Sequence, residues 1–471
     1  MRQIIAISLL FSSLSLSFAL TANANSTFDK VISEALLNNP SVNAAWYNFE
    51  AAAEEQRSAE GGYYPSIDLD MDAGTRWSKS PGADLDDYHH STATLTLTQM
   101  IYDGNETRNQ VARLSHERRA RYFEFKYETE QAAFQAVNAY VDVAREQKLL
   151  ALTKENYVEH RKIYDQILER VEQGVGRGVD LEQANGRLAL AETNLLTEVA
   201  NLHDVSARYQ RMTNLQPEDN LEDITLNTDL IGSDANSVLK TAYQEHPFLM
   251  ASTESVMAAQ ADKRVREAAN QPKLDLRVRD QHERNRSGNS GNYRDMAVEL
   301  VLSFNLYNGG GDAAAIRQYQ KAAVSAETER LAACYDIRQE AMVAFNAVNN
   351  LQSQISLLEQ NTLSISKARV AYRGQFDIGQ RTLLDLLDTE NEYFETRRAL
   401  VNAQSDLTIA KARTLSAMGL LVRSFDDRSF LRVADDVQAP SNEGYSLCPE
   451  QPSRQYSIDR EALLTEVMSG Q

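Results

Sequence analysis

Residues 371–393, with the sequence AYRGQFDIGQRTLLDLLDTENEY, close one long helical pattern and open another. Between the two patterns the chain turns through residues 376–380. At 3.6 residues per turn, Leu383, Leu387 and Phe394 share one face of the second helix. The opposite face is polar and carries Arg381, Asp385, Asp388 and Glu392. The stretch therefore predicts a helix that buries its leucines and exposes an acidic face.

A second copy of this turn lies earlier in the chain, as part of an internal duplication. Four anchors repeat at separations of 205–207 residues. They are Asn39-Pro40 with His246-Pro247, Pro65 with Pro272, Tyr102-Asp103-Gly104 with Tyr307-Asn308-Gly309, and Gly174 and Asp180 with Gly379 and Asp385. Self-similarity in register over this length indicates two copies of one structural unit.

The sequence of each copy predicts the same elements: a short helix, a proline-led strand, a second strand, and two long helices joined by a glycine turn. We expect the first copy at residues 25–232, the second at 233–422 and a polar tail at 423–471. Strands are predicted at 63–77, 90–102, 272–280 and 293–306, and long helices at 106–173, 180–215, 312–375 and 381–420. One short helix opens each copy, at about 28–61 and 236–270. The turn glycines Gly104, Gly309, Gly174 and Gly379 are interpreted as structural.

The first 24 residues have the three parts of a secretory signal peptide. Arg2 is basic, residues 4–20 are mostly apolar, and Ala22-Asn23-Ala24 forms a cleavage site. A membrane anchor is the alternative, but the run is rich in serine. No later apolar run reaches the ~20 residues that a spanning helix needs. These features exclude a helical membrane protein and leave a barrel of short alternating strands open.

Composition and motifs limit the function further. The net charge of −19 at pH 7 argues against a nucleic-acid partner, because phosphate binding needs a basic surface. The two cysteines, Cys334 and Cys448, form either one disulfide or two free thiols in an exported protein. The loop histidines lack the spacing of metal ligands, and no catalytic dyad or nucleophile motif occurs. We therefore predict no metal, no cofactor and no enzymatic activity.

The predicted strands alternate with a period of two. In the first strand Ile67, Leu69 and Met71 point to one side, and aspartates point to the other. Taken alone, such strands fit either a half-buried soluble hairpin or a membrane barrel. The long helices favour the barrel, because helices of ~100 Å with leucines at heptad spacing pack as an elongated coiled coil.

Counting the strands indicates an oligomer. One chain supplies four strands, whereas a closed membrane barrel needs at least about eight. Open sheet edges are not tolerated in lipid, so several chains must pool their strands. Three chains of four strands would supply twelve, enough to close a barrel.

The pattern as a whole resembles the TolC family of outer-membrane exit ducts. The resemblance covers residues 28–422 and rests on the Asn-Pro and His-Pro sites, the strand-leading prolines, both Tyr-x-Gly turns and the segment Gly379–Asp388. It implies an α+β membrane protein and a homotrimer. Each chain would contribute four strands to a 12-stranded barrel in the outer membrane of a Gram-negative bacterium. A long antiparallel coiled-coil helical barrel would extend into the periplasm and close like an iris at its inner end.

The resemblance also implies roles for residues of the inner end. Asp385 and Asp388 fall where the family places its ring of constricting acids, which predicts a cation-selective pore. Arg381 and Asp180 fall where a basic and an acidic residue form a gate latch. Phe376 replaces a latch tyrosine, and Val179 a threonine, which leaves Tyr372 as a candidate substitute. Without the family pattern, a solvated helix face is the better explanation of the acids.

The resemblance predicts a passive exit channel for type I secretion of proteins or adhesins. It implies a periplasmic adaptor protein and an inner-membrane ABC exporter or proton-driven pump as partners. A drug-efflux channel is the first alternative. A soluble periplasmic coiled-coil scaffold or adaptor is an alternative of another class, which a soluble monomer in the periplasm would favour.

Overall fold

The two halves of the chain repeat one order of elements in the computed structural model. It describes residues 27–79, 81, 86–425, 431–434, 437, 448–449 and 460–469. The first half contains α1 (Thr27–Leu37), α2 (Pro40–Glu60), β1 (Ser66–Ser78), β2 (Asp86–Tyr102), α3 (Glu106–Glu172) and α4 (Gly178–Thr213). The second contains α5 (Ala235–Glu245), α6 (Pro247–Glu267), β3 (Lys273–Arg284), β4 (Asn292–Ser303), α7 (Gly311–Asp377) and α8 (Leu383–Ala417), and α9 (Arg460–Ser469) follows. The predicted signal peptide and most of the predicted tail lie outside the described residues.

The short helix predicted at the start of each copy is in fact two helices, so that prediction was wrong. Each break falls at a proline, which has no N–H to continue a helix and is favoured at a first helical position. Asn39 caps α2 by accepting hydrogen bonds from the amides of Ser41 and Val42, at 2.9 and 3.2 Å. His246 caps α6 in the same way, with Nδ1 accepting from the amide of Phe248 at 3.2 Å.

His246 is expected to make the fold sensitive to acid. Burial lowers its pKa from 6.5 to about 4, so the folded state holds it neutral. As pH falls through 6.5, the unfolded chain binds a proton that the folded chain does not, and up to about 3 kcal/mol of stability is lost near pH 4. His246→Asn retains the cap, as Asn39 does, and should flatten this loss. Thermal unfolding between pH 7.5 and 4.5 measures this loss of stability. His203 is exposed, so His203→Asn is the control and should behave as wild type.

The four strands form one antiparallel sheet in the order β1-β2-β3-β4, which leaves β1 and β4 at its edges. Cross-strand partners share a face, and the register places Asp70, Thr94, Gln281 and Asp295 together on the polar side. The opposite side is mostly apolar and open, with Met71 73% and Met296 67% exposed, and it also carries the pair Asp280–Arg294 near the β3–β4 turn. An apolar face this exposed fits a lipid-facing strand and argues against the half-buried soluble hairpin.

The long helices pack as two antiparallel coils, α3 with α4 and α7 with α8, and α3 also packs against α8. α3 and α7 are each 67 residues long. The largest apolar core lies where α1, α2 and α6 pack on α3 and α5 packs on α7, and it includes Tyr140, Ile32 and Leu415. None of the described helices is long and apolar enough to cross a membrane.

The segment after α8 is fastened to this core. Glu130 of α3 accepts hydrogen bonds from the amides of Leu421 and Val422, at 3.1 and 3.3 Å, and burial raises its pKa to about 8. Further along, Cys448 forms a disulfide with Cys334 of α7, with the two Cα atoms 5.7 Å apart. The disulfide therefore fastens the chain at residue 448 to α7.

Candidate pore constriction and gate

The turn between α7 and α8 is held by backbone geometry that needs glycine. Gly379 has φ of +75°, a conformation that costs other residues energy. The amide of Gln380 donates to the carbonyl of Gln375 at 2.8 Å and ends α7. The other three turn glycines, Gly104, Gly174 and Gly309, also have positive φ. Gly104 further permits a close approach, since a Cβ there would lie 2.5 Å from Cβ of Gln271.

Asp385 belongs to a capping box at the start of α8. The amide of Thr382 donates to its carboxylate at 3.2 Å, and its own amide donates to the Thr382 hydroxyl oxygen at 3.2 Å. Hydrogen bonds from Thr382, and then the charge of Arg381, lower the pKa of Asp385. The capped turn explains why α8 begins at Leu383 and not at the predicted residue 381. Asp385 is therefore ionised, and its side chain is partly exposed at the tip.

Asp388 lies one turn further along α8 and is paired within the chain. Nη2 of Arg187, on α4, lies 2.8 Å from its Oδ1. The Asp388 side chain is 57% exposed and that of Arg187 29% exposed. Sequence reasoning missed Arg187, which has no motif around it and lies seven residues after Asp180.

The predicted latch residues occupy two different settings. Nε of Arg381 donates to Oε1 of Gln375 at 2.9 Å, and its guanidinium lies 4.1 Å from the ring centroid of Tyr372. Among the described residues, Asp180 is not one of its partners. A single chain holds only one side of a contact between neighbouring chains, and the Arg381–Asp180 latch stays a prediction.

Phe376 contributes to packing at the tip. It is 5% exposed, lies under the guanidinium of Arg170 at 4.9 Å, and belongs to an apolar cluster. The cluster joins all four long helices and contains Ile163, Ile167, Ala184, Phe376, Leu383, Leu386 and Leu387. The buried leucines match the predicted apolar face of α8.

Above the tip, ion pairs connect the two coils. Nη2 of Arg145 on α3 lies 2.7 Å from Oδ1 of Asp406 on α8. Nη1 of Arg398 on α8 lies 2.6 Å from Oε1 of Glu198 on α4, which is almost fully buried. Glu146 of α3 faces the same carboxylate, and burial, followed by its interaction with Glu198, raises the Glu146 pKa to about 7.

Comparison with known proteins decides the family. The model of the family described as "Outer membrane efflux protein" matches residues 31–214 and 238–420. The chain belongs to the outer membrane efflux protein family. The two matched segments fall in the two halves of the chain and end near the ends of α4 and α8.

Curated relatives of the family match across most of the chain. "Outer membrane efflux protein BepC" of Brucella suis biovar 1 (strain 1330) is 25% identical over 88% of this chain and 89% of its own. "Outer membrane protein TolC" of Escherichia coli (strain K12) is 23% identical, covering 91% and 89%. "Alkaline protease secretion protein AprF" of Pseudomonas aeruginosa is 23% identical, covering 82% and 83%.

Solved structures show the same fold. The Campylobacter jejuni CmeC outer membrane channel superposes with a TM-score of 0.74 at 16% identity, covering 89% of this chain and 94% of that one. The Vibrio cholerae outer membrane protein VceC gives 0.72 at 18% identity, covering 83% and 96%. The resemblance to TolC-type ducts is thereby confirmed. This outer membrane efflux protein is a channel and not an enzyme, with a coiled-coil periplasmic part joined to the four strands that one chain contributes to a barrel.

Proposed function

We propose that three copies of this chain form a passive exit duct for a type I secretion system, closed at the inner end by Asp385 and Asp388. The observation that carries the proposal is the open sheet. β1 and β4 are unpaired edges, and both carry exposed apolar side chains on the same face. Pairing β4 of one chain with β1 of the next removes the edges and turns that face to lipid.

The helices also leave apolar surface for a second copy. α4 packs on α3 and α7 packs on α8, yet Leu196, Leu363 and Val370 of α4 and α7 remain 56–70% exposed. Contact between α4 of one chain and α7 of the next would bury them and close a ring of helices. Heat-modifiable trimers in the outer-membrane fraction are the expected result, and a soluble periplasmic monomer would contradict the trimer.

AprF and "Proteases secretion protein PrtF" of Dickeya chrysanthemi, two of the relatives, are secretion proteins by name and support the secretion proposal, whereas BepC is an efflux protein by name. The duct would receive its cargo through a periplasmic adaptor from an inner-membrane ABC exporter. Deleting the chain should abolish release of a large polypeptide into the medium and leave drug sensitivity unchanged. Unchanged secretion with increased sensitivity to several drugs would instead assign the duct to a proton-driven efflux pump.

Removing the acids of the tip is expected to weaken cation selectivity. Threefold symmetry gathers six carboxylates, from Asp385 and Asp388, around one axis, and crowded carboxylates attract cations. Asp385→Asn with Asp388→Asn removes these charges and retains an acceptor for the Thr382 amide, so the cap of α8 survives. The reversal potential in a planar bilayer under a salt gradient should shift toward zero.

The matched control removes two acids from the first-copy tip. Glu169 and Glu172 end α3 at the same level and are exposed. Glu169→Gln with Glu172→Gln should leave the reversal potential near the wild-type value. If both double variants shift it equally, the constriction is not formed by Asp385 and Asp388.

A further inference from the structure

The tip contains a pair that no predicted latch residue accounts for, Arg187 with Asp388. Asp388 is one of the two acids proposed to face the pore. Arg187 belongs to the other copy of the duplicated unit and approaches to 2.8 Å. We propose that Arg187 is a gate residue of the duct: it ties α4 to α8 in the closed tip and neutralises Asp388, which sets the charge of the constriction.

The surroundings of Arg187 fix its position. The next residue, Leu188, is 8% exposed, and Ala184, one turn before, is 1% exposed. Both face the packed side of α4, so the start of the Arg187 side chain is held by a buried turn of helix. On the partner side, Leu387 is 1% exposed and precedes Asp388 directly. The ion pair therefore lies at the rim of the apolar tip cluster, between two helices that are packed in place.

The predicted latch and this pair differ in what they connect. Arg381 is occupied inside its own α7–α8 turn, by Gln375 and Tyr372. Arg187 instead crosses between the two coils, which must separate if the tip is to widen. Breaking an exposed pair has a modest effect, but three symmetric copies act on one opening step, and a roughly tenfold change in opening is expected.

Cation selectivity is a second measurable property that Arg187 is expected to control. In the paired state each Asp388 carboxylate is matched by a guanidinium at 2.8 Å, and the Asp385 carboxylates, with Arg381 at 4.0 Å, are the less neutralised acids. Without Arg187, three unpaired carboxylates join them. Loss of Arg187 should therefore increase cation selectivity as well as opening, whereas a purely structural role would increase opening alone.

The test uses full-length trimers in planar bilayers. The inference rests on the proposed function of the chain as a duct. Arg187→Gln should raise conductance and the cation-to-anion permeability ratio several-fold. Adding Asp388→Asn to it should bring the permeability ratio back toward wild type and leave conductance high. The charge exchange Arg187→Asp with Asp388→Arg should restore the low conductance. High ionic strength should reduce the difference between wild type and Arg187→Gln, because a half-exposed pair is screened.

Arg177→Gln is the matched control. Arg177 is exposed, lies at the N-terminus of α4 in the same tip, and carries the same charge. Equal shifts in Arg177→Gln and Arg187→Gln would overturn the inference, because the effect would then be one of general surface charge. Wild-type behaviour of Arg187→Gln would overturn it as well. If the wild-type protein itself forms no channel, the proposed duct fails, which is a different result.

Discussion

Replacing Arg398 with methionine is expected to lower the free energy of unfolding by about 3–5 kcal/mol, the usual cost of leaving a buried charge without its partner. Glu198 is 3% exposed and has Arg398 at 2.6 Å and the Asn201 amide at 3.2 Å. Methionine preserves much of the arginine stem but removes the cation. Glu198 would then face Glu146 with no positive charge from α8.

The loss should depend on pH. The Glu146 pKa is raised to about 7 in the folded state, so folding favours its protonated form. This group contributes stability that is fully present below its unfolded pKa of about 4.3 and is lost as pH rises through 7. The Arg398→Met defect should therefore be larger at pH 8 than at pH 5.5. Thermal unfolding of the purified protein in detergent, followed by far-ultraviolet circular dichroism, measures both.

The neighbouring residue supplies the control. Arg397 pairs with Glu155 on α3, but both side chains are more exposed, at 31% and 62%. Arg397→Met should cost less than about 1 kcal/mol. Adding Glu198→Gln to Arg398→Met should recover much of the stability, since it removes the uncompensated charge. Equal unfolding temperatures for the Arg397 and Arg398 variants would contradict the expectation.

Removing the Cys334–Cys448 disulfide is the second change with a large expected effect. The two residues are 114 positions apart in sequence. Closing a loop of this size restricts the unfolded chain by about 4–5 kcal/mol in the chain-entropy model. Cys334→Ala with Cys448→Ala should therefore lower the apparent unfolding temperature and release the tail. Limited proteolysis after α8 reports that release.

Reductant separates the bond from the side chains. It should lower the unfolding temperature of the wild-type protein and leave the double alanine variant unaffected. Mass analysis of the unreduced wild-type protein that found two free thiols would show that the cysteines do not pair.

Much of the architecture follows from local pattern. α3 runs from Glu106 to Glu172, against a prediction of 106–173, because no proline interrupts it and a glycine turn ends it. The break before α2 was missed although the signal was present, an Asn cap followed by Pro40 at the first helical position. The capping role of Asp385 was also readable, from the Thr-x-x-Asp spacing that begins at Thr382.

The pairings between the coils could not be predicted in this way. Arg187 and Asp388 are 201 residues apart and belong to different copies of the repeat. Helical periodicity places each side chain on a face but does not determine how two coils are rotated against each other. The same holds for Glu198 and Arg398. The contact between Arg187 and Asp388 depends on the packing of buried residues such as Ala184 and Leu387, which only the folded chain reveals.

The equal lengths of α3 and α7 place the two tips of the chain at the same distance from the sheet. At 1.5 Å per residue, 67 residues carry both tips ~100 Å from the sheet. Deleting one residue from α3 alone would draw its tip back by ~1.5 Å and rotate it by ~100°, which separates it from the tip of α7. A shorter duct therefore requires matched deletions in all four long helices. The proposed inner-membrane partner would then have to reach further across the periplasm by the same distance.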